Sequence, residues 1–221
     1  FLFLLFSTLG IIAFMILLSK DLPSIEELNS FNPEQISKVI SSNGEVIHEL
    51  QAIKKREVVK IGEVPPEIIS ALLIMEDKDF YEHSGFSFKS TLRAIMVDIF
   101  TLSYKQGAST ITQQLARSMY DKIIRQDRTI IRKIKELITA LNIEQTYTKS
   151  EILELYLNSV FLGHGRYGVQ SASQLYFNKN ISELDLDECA MLIGILPAPN
   201  YYSPFKNIDR ANKRKSLVLK V

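Results

Sequence analysis

Cysteine is all but missing from this 221-residue chain, Cys189 being the only one, so no intramolecular disulfide is available. Tryptophan is absent, and neither an internal repeat nor a low-complexity tract is present. An excess of one charge sign is lacking too, since 26 Lys plus Arg stand against 25 Asp plus Glu. That balance removes the global electrostatic footprint of a nucleic-acid binder, and any anion recognition has to be local. The length nevertheless allows one soluble domain of ordinary size, able to bury a core without disulfides or structural metal. Cys189 itself lies in the apolar run 189–193, where it reads as a small buried hydrophobe.

What the chain does have begins at its start. Residues 1–18 (FLFLLFSTLGIIAFMILL) carry no charge, and about 20 apolar residues cross a hydrocarbon core as a helix. No small-residue cleavage pattern follows, and Lys20, Asp21 and Pro23 make an abrupt polar stop, so residues 1–19 read as a retained transmembrane anchor rather than a signal peptide or a core helix. Residues 20–62 read as a linker and a small β element. Asn43-Gly44 sits between the β-branched pairs Val39-Ile40 and Val46-Ile47, a hairpin signal, and 56–61 (REVVKI) offers another strand.

From Pro65 the pattern turns helical, and 63–221 reads as one mainly α domain. Ile68, Ile69, Leu72, Leu73 and Met75 lead into Glu76, and a second amphipathic helix covers 88–102. Over 128–143, Ile130, Ile131, Ile134, Leu137, Ile138 and Leu141 form one stripe opposite Arg128, Arg132, Glu136 and Thr139. Ser150 is placed as the N-cap of a helix over 151–158. Glycines at 163, 165 and 168 mark a loop, and helices follow over 169–176 and 185–196, the last stopped by Pro197 and Pro199.

Three polar clusters interrupt this apolar framework. The first, 76–86 (EDKDFYEHSGF), sets Glu76 and Asp77 at a helix C-terminus, where the macrodipole favours a raised carboxyl pKa and hence a base. Taken alone it reads first as a solvated helix end with Lys78 as the partner. The second, 107–117 (GASTITQQLAR), places Ser109 or Thr110 as a cap, and a helix N-terminus rich in hydroxyls is either an ordinary cap or an anion site. In the third, Arg128, Arg132 and Glu136 are spaced i, i+4, i+8 with Lys133 at the edge. They make either simple surface ion pairs or a cationic clamp for a diphosphate, with Glu136 orienting the cations or holding a metal ion.

Taken in order, the clusters resemble the motifs of the peptidoglycan glycosyltransferases, found in monofunctional transglycosylases and in the N-terminal half of class A penicillin-binding proteins. Glu76-Asp77-Lys78-Asp79-Phe80 with His83 and Gly85 is similar to the first motif, 107–114 with Arg117 to the second, and Arg132-Lys133 with Glu136 to the third. Residues 149–168 (KSEILELYLNSVFLGHGRYG) resemble the fourth, and 186–204 with Glu188, Pro197, Pro199, Tyr202 and Pro204 the fifth. Arg117 and Ser118 depart from the lysine and asparagine usual there.

The resemblance implies a lysozyme-like helical fold with a small β element and an N-terminal transmembrane helix. It implies polymerisation of lipid II onto a glycan chain held on undecaprenyl diphosphate, at the outer face of the bacterial cytoplasmic membrane, among other cell-wall synthesis proteins. Glu76 would be the base and Glu136 the second catalytic residue, the latter tuning the cations or binding a divalent ion such as Mg²⁺, with no organic cofactor. Asp77, Phe80, His83, Ser109, Thr110, Gln113, Gln114, Arg117, Arg128, Arg132 and Lys133 would bind substrate. A lysozyme-like glycan-cleaving enzyme and a non-catalytic membrane-tethered scaffold are the alternatives.

Overall fold

The computed structural model describes residues 22–24, 27–28, 38–43, 46–49, 55–88, 109–120 and 130–221. The apolar run 1–18, nearly all of the helix expected over 88–102, and Arg128 lie outside the described residues. Among those described, no helix is long and apolar enough to cross a membrane.

Strands β1 (Lys38–Ile40) and β2 (Val46–Glu49) pair antiparallel, Lys38 opposite Glu49 and Ile40 opposite Val46. A short β3 (Lys55–Arg56) pairs in parallel with β4 (Arg166–Tyr167). The helices are α1 (Pro66–Glu76), α2 (Ile111–Met119), α3 (Ile130–Thr146), α4 (Lys149–Ser159), α5 (Val169–Phe177), α6 (Leu186–Ile195), α7 (Pro199–Tyr202) and α8 (Ile208–Val218). The described part is therefore mainly α, as the periodicity predicts.

Local chemistry explains the starts of these helices. Pro66 opens α1, where a missing N–H costs no internal hydrogen bond. The cap of α4 is Thr148, not Ser150: Thr148 Oγ1 accepts from Glu151 N at 3.3 Å, and Glu151 Oε2 accepts from Thr148 N at 2.7 Å. Ser150 has Leu153 three residues on and so cannot form this reciprocal pair. Asp185 and Glu188 build the same box at α6.

Helix α6 is the centre of the domain, buried continuously from Cys189 to Ile195. Helices α1, α5, α7 and α8 pack around it, and α2 lies against α3 and α4. Ile68 and Leu72, four apart on α1, join Leu115 of α2, Tyr156 of α4 and Leu192 of α6 in one hydrophobic cluster. An amphipathic helix normally turns its apolar stripe to the core, but α3 does the reverse. Its buried residues are Glu136, Thr139, Ala140 and Ile143, while Ile130, Ile131 and Leu141 are exposed.

The extended segment after β3 is stitched to α4. Asn158 is buried, its Oδ1 accepts from Val59 N at 2.9 Å, and its Nδ2 donates to Val59 O at 2.8 Å. Gly168 lets β4 turn into α5 across this junction: its φ is +83°, and a Cβ there would lie 2.9 Å from Asn158 O. The helical body thus takes in residues upstream of 63, in the stretch read as linker and small β element. Replacing Asn158 by Leu strands the Val59 N–H and C=O in the core, so Asn158→Leu is expected to lower stability by about 2–5 kcal/mol. Chemical denaturation measures the loss, and limited proteolysis should place the first cuts between residues 55 and 64.

Candidate active site

Helix α1 ends between two carboxylates, and the ending separates their roles. Glu76 is its last residue, and Asp77 leaves helical geometry with φ −157° and ψ 77°. Glu76 is half-buried and accepts a hydrogen bond at Oε2 from Gln114 Nε2 at 2.9 Å. The Gln114 carbonyl in turn accepts from the Tyr156 hydroxyl at 3.0 Å. Tyr156 is fully buried, and burial, reinforced by the Glu76 charge, pushes its phenol well above the usual range, so it remains a donor. From the sequence Tyr156 reads only as an apolar position of α4. The available signal was that a buried phenol oxygen needs a partner.

Asp77 is buried and serves the scaffold. It accepts from the backbone N–H of Ile111, the first residue of α2, at 2.9 Å, a favourable place for an anion at a helix N-terminus. Both its oxygens also lie 3.0 Å from His83 Nε2, which donates to them, while His83 Nδ1 is buried without a partner. Thr110 caps α2 by accepting from Gln113 N at 3.2 Å, and its hydroxyl donates to Gly85 O at 2.8 Å. Gln113 Nε2 donates to the same carbonyl at 3.2 Å. Gly85 has φ +82°, and a Cβ there would sit 3.0 Å from Ala140 O, so the loop can press against α3 only with glycine.

Phe80, placed among the substrate-binding residues from the motif, is fully buried in the hydrophobic cluster. Lys149 Nζ lies 4.4 Å from the centre of its ring and donates to His83 O at 2.6 Å. After the helix ends at Glu76, the turn that follows carries Phe80 into the core, where its ring holds the loop down.

The cationic cluster is built from α2 and α3. Glu136 has no solvent exposure, and its Oε1 accepts from Arg117 Nε at 2.9 Å and from Arg132, while Lys133 lies 3.4 Å from Oε2. Lys133 Nζ also donates to Ser109 Oγ at 2.8 Å and to Gln113 Oε1 at 2.7 Å. Burial lowers the Lys133 pKa, Glu136 opposes the shift, and the charges of Arg117 and Arg132 add to it. Arg117, Arg132 and Lys133 thus converge on the Glu136 carboxylate. Gln114 and Arg117, three residues apart, share a face of α2 about 4.5 Å apart along its axis. That face joins the carboxylate of the first cluster to the cations of the third.

Residues 43–221 match the family model described as Transglycosylase. The chain belongs to the transglycosylase family. Among its relatives, penicillin-binding protein 1A of Aquifex aeolicus (strain VF5) is 41% identical over 211 residues, covering 96% of this chain and 28% of the relative. Penicillin-binding protein 1F of Bacillus subtilis (strain 168) is 42% identical over 183 residues, 83% of this chain and 25% of the relative. Penicillin-binding protein 1A of Escherichia coli (strain K12) is 41% identical over 198 residues, 90% of this chain and 23% of the relative. The chain spans about a quarter of the length of these relatives. The motif resemblance and the family model agree on the transglycosylase family of class A penicillin-binding proteins.

The transglycosylase site offers a half-buried carboxylate with one oxygen engaged by an amide, and a cluster of cations paired with Glu136. A divalent ion on Glu136 does not fit this donor set, because cationic side chains occupy both carboxylate oxygens. Among the described residues no group of three or more His, Cys, Asp or Glu side chains is placed to hold a metal.

Two expectations follow. Glu136→Gln removes the charge that offsets three cations, and it should lower stability by about 1–3 kcal/mol, discounted because Arg117 and Lys133 are partly exposed, as read by denaturant titration. Because its pKa is depressed, Lys133 sheds its proton at lower pH than a free lysine. Pyrophosphate affinity should therefore weaken on the alkaline side before the ordinary lysine range, and Lys133→Arg should extend binding to higher pH in a calorimetric titration.

Proposed function

We propose that this chain is a peptidoglycan glycosyltransferase that polymerises lipid II into glycan strands by inverting transfer, releasing undecaprenyl diphosphate. The observation that carries this reading is the single face of α2 on which Gln114 meets Glu76 and Arg117 meets Glu136. Glu76 Oε1 takes the proton from the 4-hydroxyl of the acceptor N-acetylglucosamine as that oxygen attacks the anomeric carbon of the donor N-acetylmuramic acid. The bond from that carbon to the diphosphate breaks, and its electron pair leaves with the phosphate oxygen. General-base assistance of this kind contributes roughly 10² to 10⁴ in rate.

A departing diphosphate needs positive charge more than it needs a proton, and fixed charges require little reorganisation as the reaction proceeds. Arg117 is 39% and Lys133 43% exposed in their side chains, so both can reach a ligand while Glu136 holds them. Arg117 engages Glu136 through Nε, which leaves its terminal amino groups for phosphate oxygens. Ser109 and Gln113 act on the diphosphate indirectly, by fixing the Lys133 ammonium. Arg128 would extend the cationic row.

Both substrates end in long lipid tails whose transfer to water is costly, which fits a single-pass protein of the bacterial cytoplasmic membrane, anchored by residues 1–19, with a lysozyme-like domain on the outer side. Glycan cleavage is the less favoured chemistry, because a hydrolase needs a second working carboxylate and no diphosphate clamp. Here Glu136 is locked among cations.

Glu76→Gln should retain the fold and its hydrogen bond to Gln114 yet lose polymerisation of lipid II by at least about 10²-fold. Gel analysis of products from purified protein tests this, and near-normal glycan synthesis would remove Glu76 as the base. Incubation with finished glycan should release no fragments.

A further inference from the structure

The Tyr156 hydroxyl has no part in the chemistry above, although burial of the ring would be served as well by phenylalanine. The ring sits among core residues of α4, and only the oxygen reaches out of that packing, to the Gln114 carbonyl. We propose that Tyr156 is a positioning residue for the transferase reaction, holding the Gln114 amide so that the Glu76 carboxylate is fixed and aimed at the acceptor. This rests on Glu76 being the base.

The geometry gives the relay a direction. The phenol donates to the Gln114 carbonyl, and the amide nitrogen donates to Glu76 Oε2, so every link favours a negative charge at the far end. A glutamine amide can otherwise rotate and offer either its carbonyl or its NH₂ group. A protonated Glu76 could donate to a rotated amide, but the Tyr156 donor opposes that rotation by claiming the carbonyl. The relay engages only Oε2 and leaves Oε1 for the incoming hydroxyl. Removing the phenol oxygen therefore frees the Gln114 amide to rotate and loosens its hold on the Glu76 carboxylate.

The test compares pH profiles of lipid II polymerisation for the unaltered protein, Tyr156→Phe, Gln114→Leu and the double variant. Tyr156→Phe should lower kcat about tenfold with KM for lipid II nearly unchanged, and it should move the acid limb upward by about half to one pH unit. Gln114→Leu should move the limb the same way, and the double variant should be no slower than Gln114→Leu, because both act through one contact. An unmoved acid limb in folded Tyr156→Phe protein, or losses that multiply in the double variant, would overturn the proposal. A lower melting temperature with an unmoved limb would mark a purely structural tyrosine and count the same way. The Glu76→Gln assay separates the two levels: activity there removes the base, whereas inactivity there with an unmoved Tyr156→Phe limb removes only the relay.

Discussion

The Glu136 carboxylate, sealed from water between two helices, is the constraint on which the arrangement of this site depends. A buried ion costs several kcal/mol unless it is closely paired, and here Arg117 from α2 and Arg132 and Lys133 from α3 supply the pairing. To satisfy it, α3 turns its charged face inward and leaves Ile130, Ile131 and Leu141 outside. The same pairing holds three cations close together. Burial lowers the Lys133 pKa, Glu136 opposes the shift, and the two arginine neighbours add to it.

A second junction sets where this cluster lies relative to Glu76. Asp77 accepts from Ile111 N and from His83, tying the C-terminus of α1 to the N-terminus of α2. Helix α2 then carries Gln114 to Glu76 and Arg117 to Glu136. Adjacent acids in one motif thus divide the work: Asp77 places the helix, and Glu76 meets its side chain. Loop residues 80–85 are secured over this junction by the buried Phe80 ring, by Thr110 and Gln113 on Gly85, and by Lys149 on His83.

Much of the secondary structure was legible because its causes are local. The proline start of α1 and the Thr110 cap depend on residues within a few positions of each other. The error at α4 was also local, since Thr148 has a glutamate at the third position and Ser150 does not. Less could be read of roles inside the clusters. Phe80 stands in a catalytic motif yet belongs to the core, and Tyr156 stands in an apolar helix yet hydrogen-bonds toward the site.

By itself the order of residues determined that α3 has a charged face and an apolar face, that the motifs occur in transglycosylase order, and where most helices start and stop, because spacing along the chain governs each of these. Only tertiary structure decided which face of α3 is inside and which polar group meets which. Gln114 meets Glu76 across 38 residues, Tyr156 meets Gln114 across 42, and Arg117 meets Glu136 across 19. Contacts over such separations follow from how helices pack and where buried charge finds a partner, which no local period encodes.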